Sequence, residues 1–252
     1  MKIMQINVWQ GRLLTPLLSL IEQESPDLIM TQEVYSYPRP VADHAPMDFI
    51  ATLESFAKVG HFQYTYFSPA NTFDIFGHEV GYGNAILSKF SFEHTSTEYT
   101  GGPGPIHLND PAAYDGNAGR NFQHVVINTG RTGLNVINHH GHWIPDPLGN
   151  NVTTKRLLKI AAYIKNLDGP VLMCGDLNVS LQSPAIRKFR EAVGLRDLVD
   201  TTDTHTTLSQ AHYIKNIVCD YIFTSPELKI NRIEVSEKLV SDHKAVIAEI
   251  DT

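Results

Sequence analysis

The segment Cys174-Gly175-Asp176-Leu177-Asn178 follows a wholly apolar run, Val171-Leu172-Met173. A core strand therefore delivers a carboxylate and an amide at its exit. Residues two apart in extended chain share a face, so Asp176 and Asn178 could hold a water and a phosphoryl oxygen together. The same residue types also make Asx turns and helix caps at strand ends, and this motif alone does not separate the two uses. Val240-Ser241-Asp242-His243 stands just before the last apolar run. A carboxylate beside an imidazole can serve a metal and an oxyanion in one place, and it can equally be a polar turn. Asp220 lies inside Ile217-Val218-Cys219-Asp220-Tyr221-Ile222-Phe223. An ionised carboxylate in so apolar a strand is costly unless paired, and a protonated His243 is the favoured partner.

Glu33 ends another apolar run, Leu28-Ile29-Met30, and Asn7 sits in the first one. Three histidines, His139, His140 and His142, close the run around Ile137. On a strand His140 and His142 share a face and His139 does not, and no third ligand stands at the matching position, which disfavours zinc. Glu33, Asp176 and Asp242 instead offer hard oxygen donors, suited to Mg²⁺ first and to Mn²⁺ or Ca²⁺ as alternatives. A metal that neutralises phosphate, a base that activates water and imidazoles that stabilise developing charge are what in-line phosphoryl chemistry requires.

These groups need elements to position them. Apolar alternation and short apolar runs predict strands at residues 2–9, 28–34, 62–67, 84–87, 122–128, 134–139, 171–174, 218–224, 229–235 and 244–250. Helical spacing predicts a first helix capped by Thr15 with Pro16 at its first position, burying Leu14, Leu17, Leu18 and Ile21. Further helices are expected at 46–59, with Ile50, Leu53 and Ala57 inward, at 153–167 and at 184–193. The polar stretches 35–46, 99–119 and 141–151 are long for plain connections and therefore candidates for function. Mixed strands and helices without repeats or linkers predict one layered α/β (α+β) domain over residues 1–252.

Composition narrows the classes. The chain has 252 residues, enough for a sizeable core without disulfide or metal staples. Its 20 basic and 27 acidic residues give a net charge of −7, which opposes a protein that coats nucleic acid or anionic membrane. Bound metal at the acidic cluster would reverse the local field, so phosphate chemistry remains open. Two distant cysteines, Cys174 and Cys219, exclude a disulfide framework and a thiolate zinc site. No membrane-length apolar run or signal peptide is visible, and a cytoplasmic monomer is the expectation.

Taken in order, Ile6-Asn7-Val8, Gln32-Glu33-Val34, Gly83-Asn84-Ala85-Ile86-Leu87-Ser88, Asn138-His139-His140, Gly175-Asp176-Leu177-Asn178, Asp220-Tyr221-Ile222-Phe223 and Ser241-Asp242-His243 span the whole chain. In this it resembles the endonuclease/exonuclease/phosphatase superfamily, which includes deoxyribonuclease I, abasic-site endonucleases, inositol polyphosphate 5-phosphatases and neutral sphingomyelinases. The resemblance implies a four-layer sandwich of two packed mixed β-sheets flanked by helices. It implies a divalent cation, Mg²⁺ foremost, at Glu33 with Asn7 and Asp242 near it. Asp176 would position or deprotonate the attacking water, Asn178 would orient it, and His243, held by Asp220, would stabilise the transition state. His140 would face the phosphate from the other side, and Arg120 and Asn84 would bind substrate.

The chain departs from the family pattern at His139 and Gly141, where Thr and Leu are usual. The family histidine aligns with His140, with His139 and His142 as alternatives. Glu79 is a candidate to orient it, or an ordinary surface carboxylate. The abasic-site branch lacks this histidine, which lowers the odds of that activity. The expected reaction is metal-dependent phosphoester hydrolysis of a nucleic acid or a small phosphodiester. Phosphomonoesterase or phospholipid phosphodiesterase activity is the alternative, and a catalytically silent binding module of the same fold the third reading. The aromatic run at 62–67 reads as sheet core, the basic cluster Arg187, Lys188, Arg190 and Arg196 as a solvated face, and the 99–119 loop, with His107, Asp110 and Tyr114, as the specificity loop.

Overall fold

The computed structural model describes residues 1–36, 52–75, 78–108, 117, 119–130 and 133–251. Its strands are β1 (Lys2–Asn7), β2 (Leu28–Ser36), β3 (Tyr64–Ile75), β4 (His78–Ser88), β5 (Phe92–Tyr99), β6 (Ile106–His107) and β7 (Asn121–Asn128). There follow β8 (Gly133–His140), β9 (Val171–Asp176), β10 (Arg196–Asp197), β11 (Asp220–Thr224), β12 (Lys229–Val235) and β13 (Val246–Asp251). The helices are α1 (Leu14–Glu24), α2 (Thr52–Val59), α3 (Asn151–Ile164) and α4 (Pro184–Val193). Seven strands form one sheet in the order β12-β13-β1-β2-β4-β3-β6, and six form a second, β10-β11-β9-β8-β7-β5. Both are mixed: β1 runs parallel to β2 and β8 parallel to β9, while their other neighbours are antiparallel.

Period-two alternation explains how the layers stack. Along β1 and β13, Ile3, Val246, Ala248 and Ile250 join the core that also holds the second sheet and helices α3 and α4. The intervening Met4, Ile6, Ala245 and Ile247 join a separate core with Leu17, Leu20 and Ile21 of α1 and Leu53 and Phe56 of α2. The result is four layers, with helices outside two face-to-face sheets. No helix among the described residues is long and apolar enough to cross a membrane.

The inner faces turn polar towards one end. Gln5 and Gln32 exchange amide hydrogen bonds at 2.8 and 3.0 Å, and the Gln32 amide donates across the gap to Asn138 at 2.6 Å. Asn138 donates in turn to Gln123 Oε1 and to the Thr31 and Ala85 carbonyls. A buried polar group without a partner costs about 1–3 kcal/mol, so this fully paired seam aligns one sheet over the other.

Local expectations needed adjustment in four places. Helix α1 begins at Leu14 and has no side-chain cap, so Thr15 and Pro16 lie within its first turn. Helix α3 is capped by Asn150, whose Oδ1 accepts from Val152 and Thr153, rather than starting at Thr153. Strands β3 and β4 extend past the apolar residues that mark them, because mutual pairing from Tyr64–Ser88 out to Ile75–His78 holds polar segments as strand. The 99–119 loop contains β6, parallel to β3, whereas Asp110 and Tyr114 lie outside the described residues, as does Ile50.

Candidate active site

The polar ends of β1, β2, β8, β9 and β11 meet at one edge of the sheets. At its centre is Asp176, 1% exposed at the end of β9. Its Oδ2 accepts from Asn7 Nδ2 at 3.0 Å and lies 3.6 Å from His140 Nε2 and 3.7 Å from His243 Nε2. Its Oδ1 accepts from the Asn178 backbone N–H at 2.9 Å. The chain leaves the sheet at Asp176, and Asn178 adopts φ +56°. The two side chains therefore do not project from one extended strand. They are joined by an Asx-type turn, with Asn178 Nδ2 donating to the Gly141 carbonyl at 3.3 Å.

Gly141, unusual against the family pattern, has a packing reason. Its N–H donates to the Asp176 carbonyl at 2.7 Å, and a Cβ there would fall 2.2 Å from the Leu177 carbonyl oxygen. Gly175 similarly admits the His139 carbonyl, 2.0 Å from where its Cβ would stand. Beyond Asn178, the Tyr221 hydroxyl donates to the Val179 carbonyl at 2.8 Å and pins the turn from β11.

Glu33 reaches the cleft through a bulge. Thr31 pairs with Ala85 and Val34 with Gly83, so Gln32 and Glu33 together oppose the single residue Asn84. Glu33 takes φ +61°, a left-handed conformation that costs a non-glycine residue about 1–2 kcal/mol. The bulge keeps Gln32 in the inter-sheet seam and swings the next side chain into the cleft as well. Glu33 Oε1 accepts from Asn7 Nδ2 at 3.2 Å and lies 4.0 Å from His140 Nε2, and burial followed by the Glu33 charge raises the Tyr82 hydroxyl well above its ordinary range. Trp9, Gln10 and Asn178 share positive φ with Glu33, so strained backbone gathers around this cleft, as is common at functional sites. Asn7 Oδ1 accepts from the Trp9 N–H, which leaves its amide nitrogen facing both carboxylates.

His243 is held from two sides. Its Nδ1 lies 2.8 Å from Asp220 Oδ2, and Gln5 Nε2 donates to the other Asp220 oxygen at 3.3 Å. Thr207 Oγ1 accepts from the Cys219 and Asp220 N–H groups, and Leu208 bridges His243 in antiparallel fashion. Burial opposes the charged imidazole, but the Asp220 and Asp176 carboxylates outweigh it and raise His243 well above its ordinary range. His140 moves the other way: burial, then Arg120, His139 and His243, hold it well below. A cationic and a neutral imidazole thus flank Asp176. Burial pushes the Asp176 carboxyl up to about 6, against the opposing pull of His243. It is ionised at neutral pH, yet far more basic than a surface carboxylate.

Of the three clustered histidines, His140 faces the cleft. His139 turns to the opposite face of β8, where its Nδ1 meets the Asn121 carbonyl at 2.9 Å and it is fully buried. Burial, reinforced by Arg120 and Arg156 and only partly offset by that hydrogen bond, lowers His139 to about 4. The unfolded chain takes up this proton near pH 6.5, whereas the folded chain resists it until about pH 4. Stability should therefore fall as pH drops from about 6.5 towards 4, by roughly 3 kcal/mol in total from this group. Urea titrations at pH 4, 5, 6 and 7 should show a shallower pH dependence in His139→Leu than in wild type. Identical slopes would contradict this assignment.

Asn84 is as buried as Asp176, and its amide nitrogen donates to the Asn121 side-chain and backbone oxygens beneath the bulge that carries Glu33. Glu79 is exposed on the outer part of the β3–β4 hairpin, and the carboxylates beside His140 are Asp176 and Glu33. Arg120 is placed at the cleft, lining a pocket of about 220 Å³ with Gln10, Tyr35 and Tyr82. Arg190, from the expected basic face, pairs with Asp197 and Asp200.

Sequence reasoning missed Gln5, Thr207, Tyr82 and His212. Nothing local marks the first three. His212 carries only a weak signal, as a lone imidazole in a polar loop, yet it packs edge-on against His243 at 5.6 Å and lies 3.9 Å from Asp242.

The donor set suits a divalent cation. Among the described residues, Glu33, Asp176, Asp220 and Asp242 form no ion pair with Lys or Arg, and histidines are their only basic partners. Burial and the nearby Glu33 charge also raise Asp242. One cationic imidazole, His243, serves four clustered carboxylates, and the remaining negative charge is what a hard metal ion neutralises. Two triads have donor atoms close enough to share an ion, Asp176–Cys219–His243 and His212–Asp242–His243.

Two mixed sheets packed face to face, helices on both outer faces and this cluster at one edge define the deoxyribonuclease I-like fold. The model of the Endonuclease/Exonuclease/phosphatase family matches residues 4–243, and the chain belongs to that family. Family members are typically phosphoester hydrolases and generally depend on a divalent metal. A family protein from Leptotrichia buccalis is similar in structure (TM-score 0.71, 20% identity, 100% of both chains covered). So is the Bacteroides thetaiotaomicron mannosyl-6-phosphatase Bt3783 (0.74, 15%, 100% of both chains). A humanized D. rerio TDP2 is a third (0.65, 17%, 100% of this chain and 99% of the other). No curated protein sequence matches the chain.

Proposed function

We propose that this protein is a divalent-metal-dependent phosphoester hydrolase, acting foremost as a phosphodiesterase or nuclease-like enzyme, with Mg²⁺ as its metal. The observation that carries this reading is the convergence on Asp176 of Asn7, His140 and His243 within 3.0–3.7 Å. Asp176, oriented by Asn7 and the Asn178 N–H, accepts the proton of the attacking water. His243, cationic through Asp220, donates to a phosphate oxygen as charge develops there. His140, neutral, and Arg120 meet the phosphate from the other side. Asn178 helps to orient the water. Glu33, with Asn7 and Asp242 near it, would hold the cation, which supplies Lewis-acid neutralisation of the phosphate charge.

The similar mannosyl-6-phosphatase favours phosphomonoester hydrolysis as the second reading. The test is a panel of bis-p-nitrophenyl phosphate, p-nitrophenyl phosphate, DNA and RNA with Mg²⁺ and with EDTA. Diester cleavage that needs Mg²⁺ and falls about 10³-fold in His243→Ala is the expected result. Preference for the monoester selects the second reading. No turnover of any member makes the protein a binding module.

A further inference from the structure

The cleft differs on its two sides. Beyond Asp176 on one side lie Arg120, Gln10 and Tyr82. On the other, Asn178 and His243 open directly onto an apolar slot between Trp143 and Pro145, from the connection after β8, and Ile214 and Ile217, from the connection into β11. No Lys or Arg lines this slot. Trp143 is 42% exposed, yet its backbone is clamped. The Trp143 N–H donates to Asn117 Oδ1 at 2.7 Å, and Asn117 Nδ2 donates back to the Trp143 carbonyl at 2.9 Å. The facing turn is tied as well, with the Ile214 N–H donating to His212 Nδ1 at 2.9 Å. A half-exposed indole carried on a clamped backbone beside this cleft offers apolar surface to a ligand.

We infer that this slot is a substrate subsite for a flat, uncharged aromatic group esterified to the phosphate that His243 and Asn178 would contact. The inference rests on the phosphoesterase reading and names the substrate class for it. The apolar lining favours a ring. Its only basic groups are His212 and His243, the latter already facing Asp220 and Asp176, and with no Lys or Arg for a second phosphate the slot disfavours a polyanionic strand on this side. The enclosed volume is small, about 40 Å³. The ring therefore rests with one face on the wall and is not engulfed, which sets the discrimination at about tenfold.

Calorimetric titration with phenylphosphonate and methylphosphonate, in Mg²⁺, separates the ring from the phosphoryl group. Wild type should bind phenylphosphonate about tenfold more tightly, and Trp143→Ala and Ile214→Ser should bring the ratio close to one. Phe73→Ala, on the Arg120 side, should leave it unchanged. Equal affinities in wild type, a ratio that survives both slot variants, or a ratio lost only in Phe73→Ala would overturn the slot, while turnover of bis-p-nitrophenyl phosphate would leave the phosphoesterase reading standing. Absence of both phosphonate binding and turnover would overturn that reading and the slot with it.

Discussion

Asp176→Asn should lower kcat for bis-p-nitrophenyl phosphate by about 10³-fold while leaving the fold intact. Positioned general bases contribute typically 10²–10⁴-fold, and Asn keeps the size and the Oδ1 acceptor that the Asn178 N–H uses. What it loses is basicity. Burial disfavours the carboxylate it replaces, His243 and the Asn7 amide favour it and Asp220 again opposes it, so these opposing effects should leave the thermal midpoint close to that of wild type. A folded Asp176→Asn enzyme with activity within tenfold of wild type would remove Asp176 from the proton-accepting role. A low midpoint would show instead that the carboxylate is needed for structure. Circular dichroism and thermal melts run beside the kinetics distinguish the two.

Removing the metal should be as severe. EDTA is expected to abolish turnover and Mg²⁺ to restore it, since a cation at a transferring phosphoryl group contributes several kcal/mol. Glu33→Gln should reproduce much of that loss, about 10³-fold in kcat/KM, because a neutral amide is a poor ligand for a hard cation. A second readout does not depend on catalysis. A ligand that binds only the folded state raises the melting temperature with concentration, so Mg²⁺ should stabilise wild type and much less so Glu33→Gln. An unchanged Mg²⁺ shift in the variant would place the cation elsewhere, at the His212–Asp242–His243 triad for instance. That alternative is testable by the same melt on His212→Ala.

Much of this was legible along the chain. Glu33 and Asp176 at the ends of apolar runs, and Asp242 just before the last one, mark places where a carboxylate can serve chemistry or a turn, and Asp176 is held in such a turn by the Asn178 N–H. The cost of an unpaired Asp220 called for a cation, and His243 stands 2.8 Å from it. Helix α4, with Ser183 as cap and Gly194 past its end, falls at 184–193 because capping signals are local. The outer halves of β3 and β4 were not legible, because strand there depends on a partner strand and not on side-chain pattern.

What the sequence by itself determined is the inventory and its periodicity: which residues can ligate, donate or accept, and which alternate towards one face. Adjacent residues on a strand point to opposite sides, so the His139–His140 step alone says that only one of the two can face the cleft. Which one does was decided by the second sheet stacking on the first, which turned His140 towards Asp176 and buried His139 behind it. Tertiary structure likewise swung Glu33 outward through a bulge opposite Asn84, placed Asn84 itself under the surface, and brought Gln5 to Asp220 across 215 residues. The reason is physical. Local pattern is set by neighbours a few bonds apart, whereas a site is set by packing and hydrogen bonds between segments that meet only when the layers close.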